Sequence, residues 1–284
     1  MIDLVTQYSP LVDEKFAVES KKSLVTNNDY KWTGAKSIKV YSVSTTSMND
    51  YSRNSGSQRY GTPTDLDAQA DTYTLKKDRS FTFVIDKLDT DETGGALAAG
   101  SALERQIREV VIPEVDTYTY GVMCNNPGTK PAAIALTSQN IYEEITRANV
   151  VLDNAGVPET GRVLIVTPDV YLLMKHCKDI TMETDIGNDL RIKGVISNID
   201  GLSVCKVPSD RLPKDFGFMI AHKVATVAPL KLETYKMHQD PPGYSGDLVE
   251  GRICYDAFVL KNKAKAIYYQ CQKAGQTTPE QDTE

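Results

Sequence analysis

The sequence predicts an α+β protein that carries extended material outside its core. Three features predict it. Strand-like runs at 37–43, 71–77 and 80–86 surround a long polar stretch over 44–70. A long amphipathic helix over about 96–121 comes next, with a second helix behind it. Strand and helix patterns then alternate, and the chain closes on two extended segments, 251–260 and 264–270.

The 284 residues allow one large core or two modest ones. With 40% hydrophobic and 25% charged residues the chain reads as folded rather than disordered. A net charge of −6 argues against adhesion to nucleic acid or anionic lipid as the main task. No apolar run approaches the roughly 20 residues needed to cross a bilayer. The opening MIDLVTQYSP lacks the charge and apolar pattern of a signal peptide. Five cysteines stand singly without CxxC spacing, which points to synthesis in a reducing cytoplasm.

Residues 1–36 form an arm of weak periodicity, with Trp32 near its end. SIKVYSV (37–43) is a strand by alternation and β-branched content, and in SFTFVID (80–86) Phe81, Phe83 and Ile85 mark one face. Residues 44–70 are too long for an ordinary connection, so the flanking strands are expected to pair as a hairpin with a loose tip. Such a hairpin is barely stable in water and asks for a partner.

In the long helix, Leu103, Ile107, Val110, Val111, Val115 and Tyr118 form an apolar stripe, and Pro113 should bend or break the helix near Ile112. The second helix is expected to start at Thr137 or Ser138, bury Ile141, Ile145, Ala148 and Leu152, and stop at Gly156. RVLIVTPDVYLLMKHC (162–177) is a buried strand running into a helix. Further strands are expected at 202–207, 216–221 and 231–237, and the final two, joined by a short KNK turn, at 251–260 and 264–270 as an antiparallel hairpin. The tail 272–284 is polar and expected to fray.

No constellation for catalysis emerges. Thr167 caps its own helix, Pro168 fits the first turn, and Asp169 would repel an incoming anion. Cys177 lies at helical spacing from Val170, Leu173 and Met174, on a face that packs rather than reacts. GGALAAGS (94–101) has the glycines of a phosphate loop but lacks its lysine. His176, His222 and His238 are isolated, so no metal and no cofactor is expected. Glu143 and Glu144 read as solvated charges. Glu104, Arg105 and Arg108 read as a charged helix face available to a neighbour, although exposed pairs contribute only about 0–1 kcal/mol each.

Three segments carry a resemblance: NIYEEITRANVVLDNAGVPETGRVLIVTPDVYLLMK, KGVISNIDGLSVCKVPSD and GDLVEGRICYDAFVLKNKAKAIYYQ. Their order, with Gly194, Ile199, Gly201, Val204 and Val207 in the second and Gly251, Tyr255, Ala266 and Ile267 in the third, resembles the tailed-bacteriophage major capsid proteins of the Hong Kong 97-like fold. Encapsulin nanocompartments share that fold. The resemblance implies an N-terminal arm (1–36), an extended loop (37–86) reaching onto a sister subunit, and a peripheral domain with a spine helix (87–159). An axial domain (160–228), peripheral return strands (229–271) and a flexible tail (272–284) complete it.

The implied function is a virion shell protein that assembles in the bacterial cytoplasm, through pentamers and hexamers, around double-stranded DNA held without sequence-specific binding. Implied partners are the chain itself, a separate scaffolding protein, a portal and decoration proteins, with no membrane. Trp32, Tyr51, Arg53, Arg59, Tyr60, Glu104, Arg105 and Arg108 are the expected inter-subunit contacts. Residues 44–70 contain no lysine, unlike family shells cross-linked from lysine to asparagine, so a noncovalent shell is expected. The alternatives are an encapsulin-like shell and, remotely, a cysteine-dependent α/β hydrolase built on Cys177.

Overall fold

The structure, a computed structural model, describes residues 20–27, 29–30, 37–53, 58–88, 99–178, 180 and 198–273. Trp32, residues 94–98 of the glycine-rich 94–101 stretch, the 182–194 loop and the tail from 274 onward lie outside them, whereas Gly100 is helical. Mixed helix and sheet is what the chain forms, as expected.

Two sheets share one helix. Strand β1 (Ser37–Val43) pairs antiparallel with β2 (Ala68–Thr74) as a separate two-stranded ribbon, with Ile38 opposite Tyr73 and Tyr41 opposite Ala70. Strand β3 (Lys77–Asp86) is longer than the 80–86 expected and leaves that ribbon. It pairs with β10 (Gly246–Tyr255), which also pairs with β9 (Leu230–Gln239), giving the order β3-β10-β9. A five-stranded sheet has the order β12-β7-β4-β6-β5, from β4 (Arg162–Val166), β5 (Asn198–Ile199), β6 (Leu202–Lys206), β7 (Phe216–His222) and β12 (Ile267–Cys271). The short pair β8 (Thr226–Val227) and β11 (Phe258–Val259) sits between them in sequence.

The long helix runs from Ala99 to Asn125 in three pieces: α1 (Ala99–Gln106), a π-helical turn (Ile107–Val111) and α2 (Ile112–Asn125). Pro113 therefore does not break it. Proline has no N–H to donate back along the helix, and the wider turn just before it absorbs the lost bond. That turn also rotates the apolar stripe. Val110, expected inside, is exposed, while Ile112 joins Leu103, Ile107, Val111 and Val115 in the interior. The first half of the helix packs these residues on Ile85, Val249, Ile253 and Tyr235 of the three-stranded sheet. Its last turns place Tyr120, Met123 and Cys124 against Val163, Ile165, Met219 and Tyr269 of the five-stranded sheet.

The opposite face of the five-stranded sheet carries Leu164, Val166, Phe218 and Ile220. It is covered by α3 (Ile141–Asn154) and α4 (Pro168–His176). Helix α3 starts later than Thr137 or Ser138. Asn140 precedes it, and its side chain folds back to accept from the Thr137 N–H at 2.8 Å and donate to the Ala135 carbonyl at 2.9 Å, closing a turn before the helix. Gly156 ends it at φ +71°, with the Val157 N–H reaching the Leu152 carbonyl at 3.1 Å. Thr167 caps α4, its Oγ1 accepting from the Val170 N–H at 3.3 Å.

The closing segments do not form the expected hairpin. A register shift at Cys254 and Tyr255 ends β10, and buried Asp256 accepts from Tyr118 Oη at 2.8 Å and from the Ala257 N–H at 2.8 Å. These contacts turn the chain onto β8. A 3-10 helix (Lys261–Ala266) then carries it across to β7, where Ile267 pairs with Ala221. The last two strands thus belong to different sheets.

Candidate assembly interface

Among the described residues, the β1–β2 ribbon is anchored at its root. Tyr73 stacks on Phe258 with ring centroids 4.1 Å apart and planes 14° apart, and its hydroxyl donates to the Val259 carbonyl at 3.4 Å. Ile38, Val40, Tyr73 and Leu75 pack on buried Val227, Phe258 and Leu260, and Lys261 pairs with Asp71 beside them. Burial raises the pKa of the Tyr73 phenol, with Asp71 adding to it, so it stays a donor.

Further out, this support ends. Strand β1 alternates between half-buried Ile38 and Val40 and exposed Lys39, Tyr41 and Val43. Tyr41 is 66% exposed, Val43 62%, Met48 98%, Tyr60 85% and Leu66 59%. Hydrogen bonds within the loop include the Ser44 N–H to the Asp67 carbonyl at 2.9 Å and the Ser52 N–H to the Arg59 carbonyl at 3.1 Å. Tyr41 and Val43 share one face of β1, so this apolar surface is not a single scattered side chain.

Of the expected contact residues, Tyr51, Arg53, Arg59 and Tyr60 come together at the tip. Tyr51 and Tyr60 meet edge to face at 5.0 Å and 66°, and both arginines are exposed. Arg105 and Arg108 are exposed on the long helix and Glu104 is half-buried there, on a different element from the tip. Trp32 lies outside the described residues.

Tyr41, Val43, Met48 and Leu66 were not among the expected residues. For Tyr41 and Val43 the signal was in SIKVYSV, which is apolar at Ile38 and Val40 and also at Tyr41 and Val43, on the other face; Met48 and Leu66 stand singly in the polar stretch and carried no such signal. A strand apolar on both faces needs two covers, and the described residues supply one.

The cysteines among the described residues are packed rather than poised to react. Cys177 is 1% exposed inside the core between α4 and the sheet. Burial pushes the Cys124 thiol up to about 12 and raises that of Cys205, which keeps both protonated. Among the described residues no three of His, Cys, Asp or Glu gather as a metal site, and no helix is long and apolar enough to cross a membrane.

No protein-family model matches the sequence, and no curated protein matches it. Solved structures do. A chain of Mycobacterium phage Che8 superposes with a TM-score of 0.71 at 17% identity, covering 90% of both chains. The capsid structure of cyanophage P-SCSP1u gives 0.71 at 15% identity over 89% of this chain and 87% of the other. A virus-like particle from Pyrococcus furiosus gives 0.59 at 9% identity over 93% of this chain and 99% of the other. A protein with this architecture has the fold of tailed-phage capsid subunits, the Hong Kong 97-like fold that the sequence resembles. At these identities the likeness is one of fold.

Proposed function

We propose that the chain is the repeating shell subunit of a tailed-bacteriophage head, assembling through pentamers and hexamers into an icosahedral container for double-stranded DNA. The exposed outer half of the ribbon carries this reading: an apolar, two-sided strand pair gains stability when it lies on a second copy. Tyr51, Arg53, Arg59 and Tyr60 would make that contact, because tyrosine and arginine give large contact area and directional bonds. Glu104, Arg105 and Arg108 would pair with charges on a neighbour.

The division into arm, extended loop, peripheral and axial parts follows from the resemblance. In it the loop's projecting part is 37–76, since β3 is already committed to the three-stranded sheet. The subunit does its work by repeated contacts rather than by catalysis. Its acidity suits a wall that holds DNA without gripping it. Scaffolding, portal and decoration proteins are further proposed partners, and the virion, assembled in the host cytoplasm, is the proposed location.

Expression of the chain with and without its genomic neighbours, followed by negative-stain electron microscopy, tests the reading. Closed shells or five- and six-membered rings support it. A lasting monomer under both conditions contradicts it. The likeness to the Pyrococcus particle keeps an encapsulin-like shell as the second reading, and particles filled with protein cargo instead of DNA would favour that one.

A further inference from the structure

Residues Ser20–Asn27 cross the body where the long helix, the five-stranded sheet and the β7–β8 turn meet. Ser20 Oγ donates to Asp116 Oδ1 at 2.6 Å, and Arg211 Nη1 reaches Asp116 Oδ2 at 3.0 Å from the opposite side. Lys21 Nζ donates to the Lys206 carbonyl at 2.9 Å. At the far end, the Asn27 N–H donates to the Thr226 carbonyl at 2.9 Å and Asn27 Nδ2 to the Val224 carbonyl at 3.2 Å. Polar groups thus make most of the attachment. Val25 is the apolar side chain this segment buries, while neighbouring Leu24 is exposed.

Two features keep the seat from being tight. Among the described residues, Arg211 Nε and Tyr120 Oη are buried without a hydrogen-bond partner, and both would gain water if the segment lifted. Lys22 is buried as well. Burial outweighs the attraction of Asp116 and Glu233 and pulls its ammonium down to about 8.

We propose that Ser20–Asn27 is a detachable strap seated on the Asp116 carboxylate, undocking and redocking as a unit while the sheets beneath stay folded. Lys22 sets the strap's grip below its maximum at neutral pH. The charged groups around it are Asp116 and Arg211 at the seat and Glu233 from β9, with the Tyr120 phenol and Cys205 thiol close by. Docked Lys22 holds its proton more weakly than free Lys22. The undocked state therefore binds more protons between about 8 and the ordinary 10.5, and docking strengthens as pH rises through that window. Below that window Lys22 is charged in both states and docking no longer changes with its titration. Burial raises the Asp116 carboxyl despite Ser20, Lys22 and Arg211.

Hydrogen exchange of the full chain, read by mass spectrometry at one fixed pH near neutrality, tests this. Lys22→Met is expected to slow exchange across 20–27 by about 10-fold or more, because the buried charge is gone. Asp116→Asn is expected to speed it about 10-fold and Ser20→Ala about 5-fold, with β7 (216–222) unchanged in Ser20→Ala and Lys22→Met. Should Asp116→Asn loosen the whole chain, Lys22→Met still decides, since it predicts a gain. Unchanged or faster exchange in Lys22→Met, or exchange of 20–27 only together with 216–222, would overturn the strap. The measurement is made on unassembled protein, so its outcome stands apart from the shell reading.

Discussion

The β1–β2 ribbon and the five-stranded sheet both carry apolar strand residues and end in opposite conditions. Strands β4 and β7 are buried along their whole length, between helices on one face and the end of the long helix on the other. Ribbon strand β1 alternates between half-buried and exposed positions, and its apolar residues point both ways. The sheet finds both covers in its own chain, whereas the ribbon finds one, near its root. Incomplete burial is therefore local and directional, which is how a subunit can fold alone and still be built to associate.

Substitutions that sharpen this contrast differ in size. Phe218→Ala removes a fully buried ring from the sheet and is expected to lower folding stability by about 3–5 kcal/mol, read by chemical denaturation. Tyr73→Ala removes the half-buried ring stacked on Phe258, and a loss of about 2 kcal/mol is expected. Its signature is faster exchange in 37–43 with 216–222 unaffected. An equal change in both would mean that ribbon and sheet are one cooperative unit.

Gly251→Ala addresses the intermediate case, the three-stranded sheet covered on one face. The new Cβ would lie 2.3 Å from the Phe81 ring, so the ring must move, at about 1–2 kcal/mol. Polar replacement of the outer ribbon, Tyr41→Ser with Val43→Ser, should change subunit stability by less than about 0.5 kcal/mol. The same pair should raise the concentration needed for assembly, measured by light scattering. Assembly at the parental concentration would show that this face is not used.

The sequence was most informative where the signal is local. Thr167, Pro168 and Asp169 announced the start of α4, Gly156 the end of α3, and Phe81, Phe83 and Ile85 the covered face of β3. Pairing was harder to read. Strand β3 lies beside β10 across a long stretch of chain, and nothing in SFTFVID names GRICY as its neighbour. The KNK segment met every local criterion for a hairpin turn, yet the bulge before Asp256 and the Tyr118–Asp256 bond redirect the chain, and both exist only in the folded molecule. Val110 was misplaced because its position depends on a π turn that a regular 3.6-residue period cannot contain. At the tip, Tyr51, Arg53, Arg59 and Tyr60 were legible as contact types, whereas Tyr41 and Val43 passed as ordinary strand residues until their exposure was seen.

Hydrogen exchange of residues 41–53 and 58–70, compared between dilute unassembled subunits and assembled particles, tests the central claim most directly. Fast exchange of these amides in the free subunit, with strong protection appearing only on assembly, is the predicted result. Equal protection in a strictly monomeric sample would mean that the ribbon completes itself on its own body, and the assembly reading would lose its physical basis.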